Sequence, residues 1–394
     1  MVETNSSQVE SFSITRGGPM HWLLARLGHA GDERQLVVRR ALLAVLITWL
    51  PLLILSVVQG QAWGHGLKIP FLRDFAVNVR FLIALPILIL AESGIDLRWR
   101  ILAFEFLRSK LVADADVPLF EALFEKTSRL RDRVLPELLL LVAAFLPSLF
   151  VKTELLMSGT SNWHTTGIGA SELSMAGWWF NFVSAPFFRF LLLRWFWRLF
   201  LATLSLWRLS RMKLYLVATH SDMAAGLGFL SLGQKAFSPI VFAGGTVVAG
   251  QVANAIAYQG ATLSSMKFPM IAYGVLAIIL LVAPLLVVTP VLIKVRKKAL
   301  LEYGALVTDH NQQFDQKWVQ NKKSSDEKIL GSNDPCSLID LGSSFLVIRQ
   351  MGIVPIDKPT LVTLALAAAL PMIPVVFLAT PVDELIQLVL KMLG

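Results

Sequence analysis

Long apolar runs dominate this chain, and they do not alternate as half-buried strands would. Seven runs are long enough to cross a bilayer: 41–58, 75–91, 134–151, 178–197, 237–258, 268–293 and 360–380. Each covers roughly 17–26 residues, against about 20 needed for a helical span. The pattern predicts an all-α fold: an integral membrane helical bundle of about seven transmembrane helices, with amphipathic cytoplasmic helices between them. Residues 1–40 read as a cytoplasmic N-terminal tail and 41–293 as a six-span bundle with cytoplasmic helical loops. Residues 294–359 read as a cytoplasmic helix and loop, and 360–394 as the seventh span with an outer amphipathic helix.

The polar connections carry their own periodicity. Segments 96–112 and 118–133 have helical patterns; in the second, Phe120, Leu123, Thr127 and Leu130 share a face. The sixth span is expected to run on as a helix, because Tyr303, Val307, His310, Phe314 and Trp318 form one stripe at spacings of three and four. Segment 20–27 (MHWLLARL) reads as a short interfacial helix after a polar, disordered start. In the tail, Val382, Leu385, Ile386, Val389 and Leu393 oppose Asp383, Gln387 and Lys391, an interfacial pattern that Thr380 and Pro381 would open.

Composition agrees with lipid as the solvent of the core. Of 394 residues, 55% are hydrophobic and 16% charged, with a mean hydropathy of +0.63; a soluble chain carries about 25% charged residues. The net charge of +9 does not imply nucleic acid, since the basic residues flank spans and no nucleic-acid motif accompanies them. Counted along the chain, with Arg194 assigned to the connection it adjoins, successive non-membrane segments hold 5, 2, 8, 1, 6, 1, 10 and 1 Lys or Arg. The alternation predicts a cytoplasmic N-terminus, a periplasmic C-terminus and anionic lipids against the basic face. Cys336 is the single cysteine, so neither an intrachain disulfide nor a Cys-based metal site is expected. The first 35 residues lack the apolar stretch of a signal peptide. No cofactor or metal is predicted.

Within this frame a few polar residues stand out. Arg189 lies eleven residues into its span, ~16 Å at 1.5 Å per residue, near the middle of a ~30 Å hydrocarbon core. An arginine there needs a partner or a water cavity. One reading is an anion site or gating charge; the more conservative is a structural arginine bonded to carbonyls freed by Pro186 and to Asn or Gln on a neighbouring span. Arg194 and Arg198 fall at the depth of Glu92 and Glu137, so ion pairs or simple interfacial anchoring are expected. The fifth span carries small residues every fourth position (Gly245, Ala249, Ala253, Ala257, with Ala261 beyond), a packing stripe, and Gln251 and Asn254 are its candidate pathway residues. His220, Asp222, Gly226 and Gly228 form a compact polar motif at the cytoplasmic face, with too few ligands nearby for a metal unless Asp309 and His310 fold back. His65 and His164 fall in outer loops without a nearby acidic cluster in sequence. Every span contains a proline, and a faint repeat relates Trp49-Leu50-Pro51 with Arg80 to Phe145-Leu146-Pro147 with Arg189. GxSxG, HExxH, Walker and dinucleotide motifs are absent.

The stretch HSDMAAGLGFL at 220–230 resembles a His-Pro-Asp…Gly-Gly-Leu-Gly-Phe-Leu motif, and SLIDLGSSF at 337–345 with Arg349-Gln350-Met351 resembles a second. Both are similar to stretches of an uncharacterised family of predicted bacterial multi-pass inner-membrane proteins without an assigned function. Ser221 and Ala225 depart from that pattern, where Pro and Gly are expected. The resemblance implies a bacterial inner-membrane location and no activity. The residues favour a transporter or channel for an anionic solute, with Arg189 in the pathway. Two alternatives use other features: a scaffold or sensor binding a cytoplasmic partner through the Tyr303–Trp318 stripe, and a lipid-modifying enzyme using His220 and Asp222. A homo-oligomer fits any of the three.

Overall fold

The computed structural model describes residues 33–63, 66–150, 162–166, 172–320, 329 and 332–379. The expected interfacial helix at 20–27 and the amphipathic tail after Thr380 lie outside the described residues. The described chain is a helical membrane bundle. Its helices are α1 (Gln35–Val58), α2 (Phe75–Arg108), α3 (Val117–Arg131), α4 (Val134–Phe145), α5 (Met175–Ser210), α6 (Leu230–Gln259), α7 (Leu263–Leu286), α8 (Thr289–Phe314), α9 (Asp334–Gln350) and α10 (Lys358–Ala379). Six of these (α1, α2, α5, α6, α7 and α10) are long and apolar enough to cross a membrane alone. The expected span at 134–151 has only twelve α-helical residues before a 3-10 stretch, Leu146–Phe150. Together with the preceding helix, from which it is bent by 45°, it makes a seventh.

Prolines set where the spans break. Proline has no N–H, and its ring excludes the carbonyl four residues earlier. In α2 the turn before Pro86 widens into a π-helical segment, Arg80–Ala84; in α5 the turn before Pro186 does the same over Phe180–Ser184. Both segments follow a five-residue helical start capped by a side chain: Asp74 accepts from the Val77 N–H, and Ser174 from the Gly177 N–H. Asp74 and Ser174, Arg80 and Phe180, Pro86 and Pro186 therefore correspond, displaced by 100 residues. The helix before each is also broken, α1 at Trp49 ahead of Pro51, and α4 at Leu146-Pro147. A two-helix unit thus occurs twice. The faint sequence repeat is real in the backbone, but its register differs from the expected one: Arg80 corresponds to Phe180, not to Arg189.

The helical pattern of 96–112 is met as a continuation of α2, which runs to Arg108. Two other expectations change. The sixth span does not run on: α7 ends at Leu286, and α8 restarts at Thr289 with Pro290 in its first turn. Pro290 would have to exclude the Leu286 carbonyl from an unbroken ladder. The Tyr303–Trp318 stripe is partly covered by the chain itself: Trp318 is buried, and Tyr303, Val307, His310 and Phe314 are half-buried. α8 and α9 form a hairpin in which the Arg296 guanidinium donates to the Arg349 carbonyl (2.7 Å), His310 meets the Ser337 hydroxyl (3.1 Å), and Lys317 and the Trp318 indole both reach Asp334 (2.7 and 2.9 Å).

Close backbone approach fixes where two segments meet. A Cβ on Gly177 would fall on the His164 carbonyl, so only glycine lets the 162–166 segment lie across the start of α5. Gly94, in α2, faces open space. Gly177→Ala should lower stability by upwards of ~3 kcal/mol, since the clash is with backbone. Gly94→Ala should gain about 0.5–1 kcal/mol from helix propensity. Thermal unfolding of both variants in one detergent checks the opposite signs.

Candidate functional site

The polar groups inside the bundle collect where the spans are broken. In lipid, every backbone carbonyl released from a helical ladder needs a donor from the protein. Pro51 releases the Ile47 carbonyl, and the Trp179 indole N–H donates to it (3.2 Å). The neighbouring Thr48 carbonyl accepts from Ser184 Oγ (2.7 Å). Across the second unit, Ser148 Oγ donates to the Asn181 carbonyl (2.6 Å) and Asn181 Nδ2 to the Ser148 carbonyl (3.0 Å). Arg189 belongs to this set. Its Nη1 donates to Ser148 Oγ (3.1 Å) and, at 3.4 Å, to the Ala144 carbonyl. These two partners, a hydroxyl and a carbonyl, both lie at the α4 break.

Arg80 is placed differently. Its guanidinium carbon lies 5.7 Å from the centre of the Phe188 ring, and its buried Nε has no hydrogen-bond partner. The charges it feels most are those of Asp74 and Arg189. Two partly buried cations thus lie in the spans, one on each repeated unit. In the sequence Arg80 stands out both as half of the repeat and as an arginine inside a span, five residues after its start.

Asp74 anchors the end of the bundle above Arg80. Its carboxylate accepts from the Val77 N–H, from Trp163 Nε1 (3.0 Å) and from Asn254 Nδ2 (2.8 Å). Asn254 Oδ1 in turn accepts the Phe75 N–H (2.9 Å). Asn254 therefore secures the start of α2, while Gln251 is exposed on the bundle surface; the two do not form a shared lining. Gly245, Ala249 and Ala253 are buried in helix contacts, with Gly245 against Ala368 and Pro371 of α10. His164 stacks on Trp163 with ring centres 3.8 Å apart and contacts Phe180 edge-on. One acid, Asp74, acts on it from a distant part of the chain. Burial pushes the imidazole pKa down to about 4; Asp74 opposes that shift and Arg80 adds to it. His164 is neutral at pH 7.

The opposite end of the spans holds the paired charges expected from their depth. Arg198 meets Glu92 at 2.8 Å and stacks on Trp195, and Arg194 meets Glu137 at 3.6 Å. Asp96 is fully buried beside Arg100 (3.0 Å). Two apolar cavities adjoin this region. One, of about 440 Å³, runs between α4 and α5 along Leu138, Leu141, Phe187 and Phe190. The other, of about 290 Å³, lies among α2, α5, α6 and α7. Neither is lined by Arg80 or Arg189.

The His220 motif is a self-contained loop. Asp222 Oδ1 accepts from the Ala224 and Gly226 amides (2.8 and 3.1 Å), and Oδ2 from the Gly228 amide (2.8 Å). His220 Nδ1 sits 2.9 Å from Oδ1. Asp222 thus gathers amides within the loop instead of capping a separate helix, and His220 pairs with it instead of with a loop carbonyl. The loop closes through left-handed residues at Met223, Ala225 and Gly226 (φ +53°, +56° and +94°). A Cβ on Gly228 would meet the Asp222 side chain at 2.9 Å. Ala225, where the resembled motif has glycine, carries the strain that glycine would relieve. The residue that follows the second motif docks here, with the Gly352 N–H donating to the Met223 carbonyl (2.8 Å). His310 stays with Ser337 and does not join His220 and Asp222. Among the described residues no group of three or more His, Cys, Asp or Glu is placed to hold a metal.

No protein-family model matches this chain, and no curated protein or solved structure matches it. The geometry alone carries the functional reading.

Burial alone would raise the Asp222 carboxyl. The amides of Ala224, Gly228 and Gly226, with His220, outweigh that and hold it below the ordinary aspartate value of 3.8. The loop's contribution to stability is therefore fully present above the unfolded-state pKa and is lost as pH falls through the lower folded-state value. Asp222→Asn should cost about 1–3 kcal/mol at pH 7. The gap to wild type should narrow below about pH 4. Thermal melts from pH 7 to pH 3 measure it.

Proposed function

We propose that the protein binds and passes a small anion across the membrane, with Arg80 as the primary cation of the pathway and Arg189 as its neighbour. One observation carries this reading: the Arg80 guanidinium is inside a span, close to a second arginine, and its buried Nε lacks an acceptor. A purely structural arginine in a bilayer is expected to be paired or bonded to carbonyls, as Arg189 largely is. The paired two-helix units support the same reading, since transporter folds place substrate between repeats at broken helices. π-Helical turns are also frequent at functional positions.

The scaffold alternative loses its main support, because the Tyr303–Trp318 stripe is taken by α9. The enzyme alternative loses its base, because the Asp222 carboxylate is committed to the amides of its own loop. We read the Asp222 end as cytoplasmic from the distribution of basic residues, and the membrane as a bacterial inner membrane.

The test is flux of chloride, phosphate and short carboxylates into proteoliposomes. Arg80→Leu should reduce flux of the transported anion at least about tenfold, equivalent to ~1.4 kcal/mol of lost anion stabilisation. The same variant should melt close to the wild-type temperature, because relief of a desolvated cation near Arg189 is offset by loss of its attraction to Asp74. Equal flux for wild type and Arg80→Leu, with any of these anions, would contradict the proposal.

A further inference from the structure

The 440 Å³ cavity between α4 and α5 is a groove that opens outward from the bundle. Its α4 wall is Val134, Leu138, Leu141 and Phe145, spaced four, three and four, so it is one helical stripe. All four side chains are exposed, Val134 most of all (63%). The α5 wall repeats the pattern with Val183, Phe187 and Phe190. Two spans thus hold an apolar channel open toward the side where lipid lies. Among the described residues, Glu137 is the one charged group in its wall.

Length and charge say what fits. From Val134 to Phe145 the helix rises ~16 Å at 1.5 Å per residue, about half of a ~30 Å hydrocarbon core. The groove therefore has the depth of one leaflet. It begins at the basic end, where Glu137 meets Arg194 (3.6 Å), and ends at Phe182 and Val183 in the π-helical turn of α5. An apolar cavity of this kind stays dry and takes apolar molecules. Its mouth carries one uncompensated charge. Arg131 is paired with Asp132 (2.8 Å) and Arg194 with Glu137. Arg133, next to Val134, is exposed and forms no ion pair among the described residues. Three arginines against two carboxylates leave one positive charge. Basic sites between spans at the membrane surface take anionic headgroups. A zwitterionic headgroup brings a cation of its own and complements Arg133 less well.

We propose that this groove binds one anionic phospholipid from the leaflet at the basic end. An acyl chain lies along Leu138, Leu141, Phe187 and Phe190, and the phosphate lies against Arg133. α4 has only twelve α-helical residues and packs on α5. The lipid fills the open side of that contact and so seals the shortest span. Neither Arg80 nor Arg189 lines the groove, so the site does not depend on anion transport.

The experiment counts lipids bound to the full-length protein in a nonionic detergent by native mass spectrometry. The protein is titrated with phosphatidylglycerol or with phosphatidylcholine carrying the same chains. The first phosphatidylglycerol should bind about fivefold more tightly than the first phosphatidylcholine, the effect of one basic side chain near a headgroup. Arg133→Gln, at an exposed position, should remove that preference. Leu141→Trp, which puts an indole into the groove, should abolish the tight first site for both lipids. If Leu141→Trp does not fold, Arg133→Gln decides alone. A preference retained in Arg133→Gln, equal first affinities of the wild type for the two lipids, or an intact first site in Leu141→Trp would each overturn the proposal. So would a dimer that Leu141→Trp splits without loss of lipid, since a second copy would then occupy the groove.

Discussion

Satisfaction of backbone carbonyls inside the bilayer is the constraint on which this bundle depends. Prolines at 51, 86, 147 and 186 interrupt four spans, and each interruption releases polar groups where water cannot reach them. Side chains from other spans answer them. Trp179 and Ser184 of α5 donate to α1, while Ser148 and Asn181 exchange two hydrogen bonds between the end of α4 and α5. These contacts dictate which helices are neighbours. They also make the small residues of α6 necessary, because α2 and α10 can close on it only where Gly250 and Gly245 leave room for their backbones.

The distribution of charge follows from the same constraint. Near the basic end, Arg194 and Arg198 meet carboxylates at matching depth. Arg189 Nη1 donates at the α4 break. Arg80 differs from both: the opposite charge that acts on it is Asp74, not a glutamate, and its buried Nε meets no acceptor. An arginine left in this state is costly unless a ligand meets it, which is why the functional reading rests on Arg80 more than on Arg189. The Asp74 network fixes the helix start that presents it, through Trp163, Asn254 and the neutral His164.

Much of this was legible in sequence, for identifiable reasons. Span positions follow from apolar runs, and the Arg198–Glu92 and Arg194–Glu137 pairs follow from depth, because helical rise converts residue number into distance. The Asp222 loop was visible as a polar cluster, although its inward use of three amides was not. Contacts between loops distant in sequence were hidden. Nothing in the sequence near His164 announces Asp74, which precedes it by ninety residues. The repeat was hidden for a related reason: what recurs is a cap, a widened turn and a proline, and only the proline is the same residue in both copies. The α8–α9 hairpin was missed because a stripe shows that a partner exists without saying that the partner is the same chain.

The most direct test of the account is a double-mutant cycle across the α4 break, using thermal stability in a lipid nanodisc. Ser148→Ala and Arg189→Leu each remove one side of the contact that answers the α4 carbonyls. If carbonyl satisfaction holds these spans together, the double variant should be less destabilised than the sum of the single effects, with a coupling of about 0.5–3 kcal/mol. Strictly additive effects would contradict the claim that Arg189 and Ser148 act as one unit at the break.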